Sequence, residues 1–211
     1  MIEPNDPRLR LCIVTDDLRE GTGDLVERVL AAERGGATLV LLRLKHADAH
    51  LLVEAGRALV SALRIPVVVS ERLDVALSCG AAGVHLGAGS MPVVAVRSQA
   101  PAGFLIGVSV SDASELEQTT LADFVTMGPV YAPRGVGLGL SGFTALVAAC
   151  GRPVLAIGGI DAASVPFVRA AGASGVAVIR SVLAAPDPES AVAALCAAWL
   201  MNQDGTTPDH E

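Results

Sequence analysis

Two cations stand two residues apart at the end of an apolar segment of this sequence. Arg43 and Lys45 follow four aliphatic residues at positions 39–42. Side chains at positions i and i+2 of a strand point the same way, and unpaired charges beside an apolar strand are costly. The pair is therefore neutralised either by an anionic ligand or by a carboxylate such as Asp16 or Glu71. Phosphate suits both cations, because arginine binds it as a bidentate fork and lysine as a point charge.

A second set of residues suggests a phosphate site built from backbone. Gly158 and Gly159 follow a later apolar segment, and Ile179 and Arg180 end the next one. Glycine lets a backbone approach an anion closely, and N–H groups at the start of a helix favour negative charge. The alternative for the glycine pair is a plain tight turn.

Three further polar residues stand at the ends of apolar segments. His85 could donate or accept a proton, or it could be a hydrogen-bonded structural residue. Ser109 and Ser111 could orient a ligand, or they could cap the helix that follows Asp112.

The elements that must position these residues alternate regularly along the chain. Eight short aliphatic runs, each typical of a strand buried on both faces, are separated by helix-like segments. Strict alternation predicts a parallel sheet, and eight units in 211 residues predict a single-domain (β/α)8 TIM barrel. The predicted strands are 11–15, 38–45, 66–70, 82–86, 104–110, 123–127, 153–157 and 175–179. The predicted helices are 24–34, 47–63, 73–79, 92–99, 113–120, 142–150, 162–171 and 189–200.

In such a barrel the functional residues lie where strands end and the following loops begin. The candidate residues named above all stand at predicted strand ends. The glycine pair and Arg180 follow strands seven and eight, where barrels often bind phosphate. We expect the barrel to cover residues 11–201, with flexible segments at 1–10 and 202–211.

Composition excludes several classes of protein. The chain is 52% apolar with a mean hydropathy of +0.54, which excludes a disordered chain. Its net charge is −7 without a long basic run, so nucleic acid is not expected as a partner. The sequence has no apolar run of 18 residues, and we expect no secretory signal. The four dispersed cysteines are typical of reduced thiols, so we expect a cytoplasmic protein. The apolar segment 189–200 could pair two subunits in a homodimer or pack on the barrel.

Eight short motifs stand in order along the chain: Gly36-Ala37-Thr38, Arg43-x-Lys45, Val69-Ser70-Glu71, His85-x-Gly87, Gly107-Val108-Ser109, Gly128-Pro129-Val130-Tyr131, Ile157-Gly158-Gly159-Ile160 and Gly172-Ala173-x-Gly175-Val176. Their order and spacing resemble the thiamine phosphate synthase/TenI family. The resemblance runs from about Leu11 to Leu200 and implies a (β/α)8 barrel. In the synthase, a pyrimidine pyrophosphate and a thiazole phosphate are joined with loss of pyrophosphate, assisted by Mg2+ and basic residues.

The resemblance implies roles for most of the candidate residues. Arg43 and Lys45 would hold the pyrophosphate, and Ser109 would touch it as well. His85 matches the family's histidine after strand four. The residues implied for the thiazole phosphate site are Gly158, Gly159, Ile179 and Arg180.

The chain departs from the synthase pattern where the metal ion would bind. Ser70-Glu71 stands in place of an Asn-Asp pair whose aspartate helps to hold Mg2+. Ala88 and Ser90 replace the glutamine and the second metal-binding aspartate of the family's His-x-Gly-Gln-x-Asp. Glu71 is therefore the one remaining candidate metal ligand of the two carboxylates expected.

Two further family residues differ. The glutamine two positions before the arginine is Leu41, and the loop at 132–140 has Arg134 as its cation in place of the family's lysine. The pyrophosphate half of the site thus departs from the family, whereas the thiazole phosphate half is retained.

These features favour a TenI-like protein of thiamine biosynthesis that binds a thiazole phosphate. Some TenI members are thiazole tautomerases, whose proton transfer needs a general base and no metal. Ser111 stands where the tautomerase pattern has a histidine, which leaves His85 or Glu71 as the candidate base. The alternative is a working thiamine phosphate synthase with a rearranged Mg2+ site. A non-catalytic paralogue that binds a phosphorylated ligand, and a Schiff-base aldolase using Lys45, are further alternatives.

Overall fold

Eight parallel strands close into a barrel in sequential order, as the alternation predicts. The computed structural model describes residues 3, 5–16, 22–132 and 136–201. Each strand pairs with the next along the chain, and the eighth strand pairs with the first. The strands are β1 (Leu11–Val14), β2 (Leu39–Leu42), β3 (Val67–Ser70), β4 (Gly83–Leu86), β5 (Leu105–Val110), β6 (Phe124–Met127), β7 (Val154–Ile157) and β8 (Gly175–Val178).

Helices follow the strands and cover the outside of the barrel. The segment Ala113–Leu121, predicted as a helix, is a 3-10 helix capped by the Asp112 carboxylate. The helix at Arg180–Leu183 is one turn long and has no counterpart among the predicted helices. The α-helices are α1 (Thr22–Arg34), α2 (Ala49–Ala62), α3 (Leu73–Cys79), α4 (Val93–Gln99), α5 (Gly139–Cys150), α6 (Val165–Ala170), α7 (Arg180–Leu183) and α8 (Pro188–Leu200).

The β2 strand is shorter than the sequence predicts. It ends at Leu42, so the prediction that it extends to Lys45 is wrong. The ladder stops because the Arg43 N–H group bonds to the side chain of Thr15 instead of a backbone carbonyl. Arg43 and Lys45 therefore belong to the loop that follows β2.

Alternate residues of each strand face either the helices or the barrel interior. The outward-facing set joins the helices in the larger core, which explains why the strands are aliphatic at nearly every position. Leu9 is fully buried in the inner set, although it lies in the segment predicted to be flexible, because it fills the amino end of the barrel. The buried residues of the inner set are Leu9, Cys12, Val14, Leu39, Leu41, Val68, Leu105, Phe124, Leu155 and Ala177.

Two other predictions concern the ends of the chain and the membrane. The predicted flexible tail at 202–211 lies outside the described residues. Within the described part of the chain, no helix has the length and apolarity needed to cross a membrane.

Candidate active site

A cavity of about 460 Å³ opens at the carboxyl end of the barrel, and we call it the central cavity. It brings together residues from all eight strands or the loops that follow them. Its floor is mainly aliphatic, and its rim carries charges of both signs. The lining residues are Val14, Asp16, Leu41, Arg43, Lys45, Ser70, Glu71, His85, Gly87, Ser109, Thr126, Ile157, Ile179 and Arg180.

A second cavity, of about 490 Å³, adjoins the first on the side of β7 and β8. We call it the glycine cavity, because Gly158 and Gly159 form part of its wall. It shares Ile157, Ile179 and Arg180 with the central cavity. Its lining residues are Ile157, Gly158, Gly159, Ile160, Ala177, Val178, Ile179, Arg180 and Ser181.

The glycine pair has a conformation that other residues rarely adopt. The φ angles of Gly158 and Gly159 are +95° and +70°. A Cβ atom at Gly158 would lie 2.5 Å from the Cα atom of Pro129, and one at Gly159 would overlap the carbonyl oxygen of Tyr131. The Tyr131 N–H group also donates to the Gly158 carbonyl at 2.9 Å. Glycine is therefore required here to let the loop after β6 pack against the loop after β7.

His85 forms part of the floor of the central cavity and is 4% exposed. Its Nε2 atom lies 3.0 Å from the hydroxyl oxygen of Thr126, and its ring tilts against that of Phe124 with centroids 5.8 Å apart. Burial, with a smaller effect from the charge of Arg43, lowers the pKa of His85 to about 4. The imidazole is therefore neutral at pH 7 and a weak proton acceptor.

Glu71 stands at the rim of the same cavity in an unusual backbone conformation. Its φ angle is +65°, which is uncommon for a residue other than glycine. Its N–H group donates to the His85 carbonyl at 2.7 Å. The carboxylate lies against Gly87, where a Cβ atom would be 3.0 Å from Oε1. Such strain, on the order of 1–3 kcal/mol, is often found at functional sites.

Three serines stand at positions that the family motifs single out, and the structure places them differently. Ser109 lines the central cavity. Ser90, which stands at the position of the family's second aspartate, accepts a hydrogen bond from the Gly87 N–H group at 2.9 Å. Ser111 is exposed outside the residues that line either cavity, and its hydroxyl donates to the Glu115 carboxylate at 2.9 Å.

The donor set around the central cavity fits a Mg2+ ion that arrives with a phosphorylated ligand. Mg2+ usually binds one or two carboxylates and takes its other oxygens from substrate phosphates and water. Glu71 and Asp16 both line this cavity together with the cations that suit a pyrophosphate. Among the described residues, no group of three or more His, Cys, Asp or Glu side chains could hold a metal ion. From its described residues, the chain would therefore complete a Mg2+ site only with oxygens of the ligand and of water.

Two residues near the site were missed by the sequence reasoning. Thr126 faces the central cavity and bonds to His85; a polar residue inside an aliphatic strand was the signal for it. Gln118, on the 3-10 helix, donates from Nε2 to the carbonyl of Ser109 at 3.1 Å. Nothing in the local sequence pattern pointed to Gln118, because this contact depends on how the helix packs on β5.

The closed sheet and the two cavities at its carboxyl end define a (β/α)8-barrel protein with its site in the βα loops. A family model described as thiamine monophosphate synthase matches residues 11–182. The chain belongs to this family.

Relatives and solved structures agree with the family model. The thiamine-phosphate synthase of Roseiflexus castenholzii is 38% identical over 194 residues, covering 87% of this chain and 85% of the relative. That of Methanoregula boonei is 40% identical over 190 residues, covering 85% of this chain and 88% of the relative. The thiamine phosphate pyrophosphorylase of Pyrococcus furiosus superposes with a TM-score of 0.83 at 33% identity, covering 93% and 96% of the two chains.

Proposed function

We propose that this protein is a thiamine phosphate synthase that joins a pyrimidine pyrophosphate to a thiazole phosphate and releases pyrophosphate. The observation that carries the proposal is the pair of adjoining cavities that share Ile157, Ile179 and Arg180. A condensation needs two ligands side by side, whereas an isomerisation needs one. Relatives that are 37% to 40% identical over most of the chain are named thiamine-phosphate synthases, which supports the same reaction.

The central cavity suits the pyrimidine pyrophosphate. Arg43 and Lys45 would bind the pyrophosphate, and the Ser109 hydroxyl would orient it. When the bond between the pyrimidine methylene carbon and the pyrophosphate oxygen breaks, negative charge grows on the leaving group. Fixed cations stabilise that charge more in the transition state than in the ground state, which accelerates the step. A bound Mg2+ ion would supply further neutralisation of the leaving group.

The glycine cavity suits the thiazole phosphate. Gly158 and Gly159 would allow a phosphate to approach the backbone closely, and Arg180 and Ser181 at the start of α7 line the same cavity. The thiazole nitrogen would then form the new bond to the methylene carbon as pyrophosphate departs from the other side. Ile157 and Ile179 line both cavities, and the reacting rings would meet beside them.

A thiazole tautomerase, which the sequence favours first, is supported less well by the site. Ser111 bonds to Glu115 outside the cavity linings, and His85 is buried with a pKa near 4. Neither group suits a general base at neutral pH, so Glu71 would have to take that role. A tautomerase also leaves Arg43 and Lys45 in a separate cavity without a substrate group to bind.

The direct test is to mix both substrates with the protein and Mg2+ and to measure thiamine phosphate and pyrophosphate. We expect equal amounts of the two products. Arg43→Gln should lower kcat/KM at least tenfold, which corresponds to a loss of about 1.36 kcal/mol of transition-state stabilisation. The matched control is Arg64→Gln, an exposed arginine just before β3 at the opposite end of the barrel. Isomerisation of a thiazole carboxylate phosphate without any condensation would refute the synthase, and binding without turnover would indicate a non-catalytic paralogue.

A further inference from the structure

We propose that Thr15 is a positioning residue that holds Arg43 in the wall of the central cavity; this inference rests on the proposed function. Thr15 follows β1 and is fully buried. Its hydroxyl oxygen accepts a hydrogen bond from the Arg43 N–H group at 2.8 Å and donates to the Arg43 carbonyl at 3.0 Å. One side chain therefore binds both backbone polar groups of the arginine.

This double hydrogen bond replaces the next step of the β1–β2 ladder. The Thr15 N–H group donates to the Leu41 carbonyl at 3.0 Å, as in a regular parallel pair. In such a pair the following bond would run from the Arg43 N–H group to the Thr15 backbone carbonyl. The hydroxyl takes the place of that carbonyl, so the sheet stops at Leu42 and the chain turns toward the cavity.

The Thr15 hydroxyl acts on the central cavity through its two hydrogen bonds to Arg43. Its neighbours Val14 and Asp16 line the central cavity, whereas Thr15 is not among the lining residues. Arg43 is, and its charge acts on His85 at the cavity floor. Fixing the backbone of Arg43 limits the positions that its guanidinium can adopt, which lowers the entropy lost when it binds a pyrophosphate.

The chain contains a matched control at the other end of the same strand pair. The Thr38 hydroxyl accepts from the Leu11 N–H group at 2.9 Å and donates to the Leu11 carbonyl at 3.2 Å. It makes the same double hydrogen bond between β1 and β2, but at the amino end of the barrel. Thr38→Val and Thr15→Val therefore remove the same interactions from the same sheet, and only one of the two sites lies beside Arg43.

The test compares Thr15→Val, Thr15→Ser and Thr38→Val by calorimetric titration with inorganic pyrophosphate in the presence of Mg2+. We expect Thr15→Val to weaken pyrophosphate binding about tenfold, which corresponds to about 1.4 kcal/mol. In the same variant, the affinity for thiazole phosphate should change less than about twofold, which corresponds to about 0.4 kcal/mol. Thr15→Ser should restore pyrophosphate binding, because it keeps the hydroxyl, and Thr38→Val should leave both affinities unchanged while lowering the urea midpoint.

Equal pyrophosphate affinities for Thr15→Val and Thr38→Val would overturn the inference. If the unmodified protein does not bind pyrophosphate, the proposed function fails for that half of the site. The inference is then decided by a crystal structure of Thr15→Val: a guanidinium of Arg43 displaced from the cavity wall supports it, and an unmoved one overturns it.

Discussion

Replacing Gly159 with alanine tests whether the glycine cavity depends on close packing of two loops. The φ angle of +70° costs an ordinary L-residue about 1–2 kcal/mol. The new Cβ would also lie 2.7 Å from the Cβ atom of Tyr131 and overlap its carbonyl oxygen. Overpacking of this kind costs about 1–3 kcal/mol. We therefore expect the free energy of unfolding to fall by about 2–5 kcal/mol.

Gly151→Ala separates the backbone cost from the packing cost. Gly151 ends α5 with a φ angle of +63°, and no heavy atom lies within 4 Å of where its Cβ would be. Its replacement should cost about 1–2 kcal/mol, the strain alone. The difference between the two variants in urea unfolding then measures the clash between the loops after β6 and β7.

The same pair of variants should differ in ligand binding. Relief of the clash must move either Tyr131 or Gly159, and Gly159 forms part of the wall of the glycine cavity. We expect Gly159→Ala to weaken thiazole phosphate binding at least about tenfold, or 1.4 kcal/mol, and Gly151→Ala to leave it unchanged. Equal unfolding free energies for the two variants, together with unchanged thiazole phosphate affinity, would refute the reasoning.

Two further predictions concern residues around the central cavity. The folded protein holds His85 neutral with a pKa near 4, whereas the unfolded chain binds its proton near pH 6.5, so acid favours unfolding. The free energy of unfolding in urea should fall by about 3 kcal/mol between pH 7 and pH 4. His85→Gln should lack this fall, whereas the exposed His50→Gln should retain it. Equal pH slopes for all three proteins would contradict the prediction. Gln118→Leu should raise the KM for the pyrimidine pyrophosphate about threefold to tenfold by freeing the Ser109 carbonyl, an effect of roughly 1 kcal/mol for one hydrogen bond. Gln99→Leu removes a hydrogen bond of the same type within α4 and should leave this KM unchanged. An equal rise of the KM in Gln99→Leu would mean that general destabilisation causes the effect.

The fold could be predicted because the strands are short, mostly apolar runs that alternate with helical patterns. The closed barrel confirms that prediction. The end of β2 could not be predicted, because it depends on a hydroxyl of β1 that occupies a ladder position in the folded sheet. The 3-10 geometry of Ala113–Leu121 and the single turn of α7 were missed for a related reason: short helices are set by tertiary packing more than by local pattern.

The site could be predicted in part from the sequence, because the carboxyl ends of all strands of a barrel lie at one face. That rule places Arg43, Glu71 and His85 together, and the structure has all three around the central cavity. It could not distinguish a buried histidine from an accessible base, since burial depends on residues from β5 and β6. The roles of these residues, a homodimer and a cytoplasmic location stay predictions.

The closing of the barrel has a consequence for how the protein is made. The pairing of β1 with β8 closes the barrel and brings Leu11 beside Val176 and Ile13 beside Val178. These two strands lie near opposite ends of the described chain. During synthesis, β1 leaves the ribosome long before β8 exists, so one edge of the growing sheet has no strand to pair with. Exposed edges of this kind can pair with other chains, and contacts between distant segments form slowly. A nascent chain of this barrel therefore exposes an edge at which other chains can pair until its final strand is made.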